Sequence, residues 1–91
     1  MNPTHRHQLV DGTFTPAEAA QVLLSLAKSK IDFHTLEKAS NEERFGRDNA
    51  HSERRLEDLR RLQETLRRAC QDAAEAGQQL RVSSVIEITA V

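Results

Sequence analysis

The chain has 91 residues, 37% of them apolar, 3% aromatic and 30% charged, with a formal net charge of −1. This length suits one small domain whose interior is built from Leu, Val, Ile and Ala, with Phe14, Phe33 and Phe45 as its only large rings. The near-zero charge argues against the strong field of a dedicated nucleic-acid or membrane-surface binder, and the single cysteine, Cys70, excludes an internal disulfide.

Met1 to His7 is polar and has no helical pattern, so it reads as a frayed start that becomes extended only at Leu9-Val10. Asp11-Gly12 reads as a turn, because Gly accepts positive φ and Asp bonds readily to nearby backbone. Thr15-Pro16-Ala17-Glu18 follows as a capping box, with Pro16 at the first helical position, where its missing N–H is no loss. The first helix is predicted over 15–39. Helical projection gathers Ala19, Ala20, Val22, Leu23, Leu24, Leu26, Ala27, Ile31 and Phe33 into an apolar arc of about 200°, wider than one neighbouring helix covers.

Residues 40–49 are read as a connection. Within it Ser40-Asn41-Glu42-Glu43 repeats the capping pattern, and a single turn closed by Gly46 is expected, with Phe45 as its anchor and Asp48 or Asn49 as the next cap. A connection of this length makes sequential helices antiparallel neighbours. The second helix is predicted over 50–76, with Leu56, Leu59, Leu62, Leu66, Ala69, Ala73 and Ala76 three or four residues apart and Gly77 as its terminator. On its outer face six arginines meet six acids. Pairs such as Glu57 with Arg61 and Glu64 with Arg68 are four apart, each adding about 0.2–0.5 kcal/mol.

From 79 to 91 the period changes to two, Leu80, Val82, Ser84, Ile86 and Ile88 alternating with Arg81, Ser83, Val85 and Glu87, which is the signature of a strand. A strand needs a partner. The candidates are the segment near Gln8–Val10, extending towards Phe14, and the same strand of a second copy. The fold class expected is therefore mainly α, a small α+β chain: an antiparallel two-helix hairpin with a C-terminal β-strand, for which a short N-terminal strand is a candidate partner, forming a four-helix bundle on dimerisation.

Chemistry-bearing patterns are sparse. His5 and His7 would share one side of a strand, but no Cys-x-x-Cys or His-Glu-x-x-His accompanies them, and no metal or cofactor is expected. Cys70, on the flank of an apolar face, reads as a small buried hydrophobe. The isolated glycines make no phosphate-binding loop, and no nucleophile motif is present, so catalysis is not expected. A candidate polar cluster consists of Lys30, His34 and Glu37 at the end of the first helix facing His51 and Arg55 at the start of the second. It could bind an anion or move a proton; the plainer reading is a wet helix end or one buried hydrogen-bonded group.

Over-wide apolar faces on both helices favour a homodimer with an interface drawn from Leu23, Leu26, Leu56, Leu59, Leu62 and Leu66, with strand addition as a second route to a protein partner. The function read from the sequence is a cytoplasmic oligomerisation or protein-interaction module without a membrane span. The competing reading is a small nucleic-acid-binding regulator that uses the arginine pairs of the second helix, a reading the balancing acids disfavour.

Overall fold

In the computed structural model, residues 3–45 and 50–91 are described, with side chains from 3–40 and 51–91. The chain runs β1 (Thr4–Phe14), α1 (Pro16–Phe45), α2 (Ala50–Glu75) and β2 (Leu80–Thr89). The two helices, about 45 and 39 Å long at about 1.5 Å per residue, form a hairpin. The two strands pair with each other as an antiparallel ribbon that touches α1 but makes few contacts with it.

The start of α1 follows from its capping box. The Thr15 hydroxyl accepts from the Glu18 N–H at 3.2 Å, and the Glu18 carboxylate accepts from the Thr15 N–H at 2.9 Å. The Thr15 N–H above all, with the nearby Thr15 hydroxyl, holds the Glu18 carboxyl below its ordinary value of 4.5. A lowered folded-state value means that this contribution to stability is complete above the ordinary glutamate range and is lost as pH falls through the depressed value. Thr15→Ala is expected to cost about 1 kcal/mol in denaturant unfolding. In the same variant, an NMR titration should show the Glu18 carboxyl raised but still below its ordinary range, because the residue-15 N–H, the larger cause, remains.

The end of α2 is equally local in origin. Gly77 has φ +66°; its N–H donates to the Ala74 carbonyl at 3.2 Å, and the Gln78 N–H donates to Ala73 at 2.9 Å. This is the Schellman arrangement, in which a left-handed residue closes the last turn.

Three boundaries differ from the sequence reading. First, α1 does not stop at residue 39 but continues to Phe45. Ser40-Asn41-Glu42-Glu43 has capping composition, yet no Pro or Gly precedes it to turn the backbone out of helical dihedrals. The expected roles of the Phe45 side chain, Gly46, Asp48 and Asn49 lie outside the described residues. Second, the polar start is a strand from Thr4 onwards, not a frayed tail. It is held by cross-strand pairs: Arg6 with Glu87 at 3.4 Å, Arg81 with Asp11 at 3.0 Å, and Thr4 with Thr89 at 3.3 Å.

Third, Asp11-Gly12 makes no turn. It runs through the ladder opposite Ser83 and Val82. Gly12 lies beneath the Phe14 ring, where an added Cβ would meet ring carbons at 3.5 Å. Of the two partners considered for β2, the structure uses the N-terminal segment of the same chain.

The ladder is interrupted once, between Gln8 and Val10, where Leu9 is the extra residue of a bulge. The Gln8 amide staples it, with Nε2 2.7 Å from the Val10 carbonyl and 3.0 Å from Ser83 Oγ. Because side chains alternate with period two, one extra residue reverses the phase of β1. Phe14, Gly12 and Val10 therefore share a face with Leu80, Val82, Ile86 and Ile88, and beyond the bulge His7 and His5 join that same face opposite Ile86 and Ile88. The other face carries the polar pairs.

Candidate interaction surface

The seam between the helices takes its pattern from α2. Its buried or half-buried positions are Ser52, Leu56, Leu59, Gln63, Leu66, Cys70 and Ala73, steps of four and three that keep one stripe turned to the neighbour. The facing side of α1 supplies Ala19, Leu23, Ala27 and His34, and the two alanines allow a close approach. Cys70 is buried in this seam as a free thiol, as its position suggested. No large side chain is fully buried among the described residues.

The structure divides the six leucines proposed as an interface. Leu56 is only 4% exposed and lies in the seam of its own chain. Leu23, Leu59 and Leu66 are half-buried in it. Leu26 and Leu62 remain 42% and 48% exposed. The seam thus takes in more of α2's leucines than a pattern of spacing alone could assign.

Two residues the sequence reading left outside its interface belong with Leu26 and Leu62. Phe33 is 59% exposed and Leu36 74%. With Val22 they form a stripe along α1, set away from α2. The Lys38–Glu53 bridge, 3.1 Å, fixes the helix register. In that register Leu62 stands level with Ser29, between Leu26 and Phe33, and helical projection puts it on the same side of the hairpin. The stripe was legible as part of the wide apolar arc; that Leu62 joins it depends on the hairpin's hand and register. A groove lined by Leu9, Val10, Val22, Leu26 and Ser29 connects this side of α1 to the ribbon.

The polar cluster is only partly assembled. His34 is buried, and neither ring nitrogen has a hydrogen-bond partner; the nearest carboxylate oxygen, from Glu37, is 3.7 Å from Nδ1, beyond hydrogen-bond range. The Phe33 ring meets the His34 imidazole edge-on, with centroids 5.3 Å apart. Lys30 is turned away to Phe33, its Nζ 5.7 Å from the ring centroid. His51 and Arg55 line a shallow groove with Arg54 and Asp58. His34 is accordingly neither wet nor part of a hydrogen-bonded group, and the five residues form no common site.

His5 and His7 stack with ring centroids 6.0 Å apart, as their strand spacing implied. Among the described residues no group of three or more potential ligands converges on a metal position, and no helix is long and apolar enough to cross a membrane. On α2, Arg61 pairs with Glu57, and Glu64 is taken by Arg67 at 2.7 Å rather than by Arg60 or Arg68. Comparisons with protein-family models, with curated proteins and with solved structures find no match.

Proposed function

We propose that the chain is a homodimerising interaction module whose hairpin and ribbon are completed by association. The observation that carries this reading is exposed area. The chain leaves 7077 Å² accessible, whereas compact monomers of this mass expose about 5,400 Å². Its radius of gyration is 16.6 Å, against about 12 Å for a compact chain of this length. The extents of 50 × 37 × 14 Å describe a slab one layer thick, and a layer has no interior unless something covers it.

The excess of about 1,700 Å² per chain, doubled for a pair, falls in the range of about 2,000–5,000 Å² that obligate homodimers bury. A two-fold pair is the commonest closed assembly that would remove it. Sedimentation velocity at tens of micromolar is expected to give a dimer, and a well-folded monomer there would overturn the reading. Nucleic-acid binding has less support, since Arg61 and Arg67 are neutralised within their own helix and phosphate affinity needs cations free to displace counterions.

A further inference from the structure

Resting on that dimeric reading, we infer that the second copy docks on the side of the hairpin that carries Leu26, Phe33 and Leu62, each projected from the seam between α1 and α2. These three are among the most exposed large apolar side chains of the helices, and the helix register sets them side by side, with Leu36 at the margin. The leucines that a spacing argument would choose first, Leu56 and Leu59, are already engaged within the chain, so association has to use what the seam leaves over.

The surroundings of the patch fit an isologous contact, in which each residue type must meet its own kind or a neighbour across a two-fold axis. By helical projection the rim on this side carries Lys30 and Arg55 as cations and Glu37 and Asp58 as anions. All four residues are exposed. A second copy turned by 180° can therefore set positive rim against negative rim without like-charge contact. Phe33 supplies the aromatic anchor typical of an interface centre, with Lys30 over its face. The accessible area in excess of a compact monomer is what an extended homodimer contact removes, which favours a second copy over a small ligand.

The test uses the full chain in three forms. Phe33→Asp and Leu62→Asp together are expected to weaken the dimer by at least about 100-fold, as charge placed at an interface centre does. Gln71→Asp, a control away from this side, should leave it unchanged. Because a dimer-deficient chain could also lose its fold, a second measurement uses Phe33→Cys in a Cys70→Ala background. A short bis-maleimide should link two copies through that position and not through Gln71→Cys in the same background.

Loss of the dimer in the double variant with its helical circular dichroism kept, or selective crosslinking at position 33, supports the assignment. A wild-type dimer that persists in the double variant and shows no crosslinking at position 33 overturns this surface while leaving the dimeric reading intact. A monomeric wild type overturns both.

Discussion

Leu56→Ala is expected to lower the unfolding free energy by about 2–4 kcal/mol, the cost of an emptied leucine site in a core that closes only partly around it. The site is chosen by burial. Among the described residues Leu56 is the most buried leucine, and in the register set by Lys38 and Glu53 it lies at the end of the seam that also encloses His34 and Ser52. For a chain this short, total stability is on the order of 5–10 kcal/mol, so one leucine represents a large part of it. Urea unfolding followed by circular dichroism measures the change. A loss below about 0.5 kcal/mol, the range of an ordinary surface substitution, would show that the seam is not where the chain's stability resides.

The second large effect has the opposite sign. His34→Leu is expected to stabilise the chain by about 1–3 kcal/mol, because a buried polar group without a partner carries its desolvation cost unrelieved. Both imidazole nitrogens are in that condition, flanked by the Phe33 ring and with the Glu37 carboxylate just out of bonding range. Leucine is close enough in volume to occupy the same space. Thermal unfolding of the two chains side by side checks it, and a fall in midpoint would mean that the imidazole finds a partner in solution. Phe33, which meets the imidazole edge-on, is itself exposed on the proposed docking side.

How much of this was legible from the residues depends on whether the deciding interaction is local. Thr15, Pro16 and Glu18 start a helix by contacts three residues apart, and Gly77 ends one by its own dihedral freedom, so both ends could be read. The strand character of β2 was likewise visible in the alternation from Leu80 to Ile88. The N-terminal strand was legible only from Gln8 towards Phe14; its first half was not, because Thr4, Arg6 and His7 are polar and become a strand only through partners about 80 residues away.

The interface leucines show the same limit. Spacing marks Leu56, Leu59, Leu62 and Leu66 as one apolar side, but only the hairpin's geometry separates Leu62, left outside, from Leu56, enclosed. The polar cluster of Lys30, His34, Glu37, His51 and Arg55 was placed at the correct end of the hairpin. Its members then found different company, which rotamers decide and sequence spacing does not.

The Leu9 bulge, finally, makes the two edges of the ribbon unequal. A ribbon of two strands offers one open ladder on each side, and a subunit with two usable ladders could stack indefinitely into a fibre. An inserted residue twists and interrupts β1, which spoils that side as a template for another chain, whereas the pairing of β2 runs without such a break. With one unbroken ladder per chain, strand addition at the ribbon would be limited to a single partner.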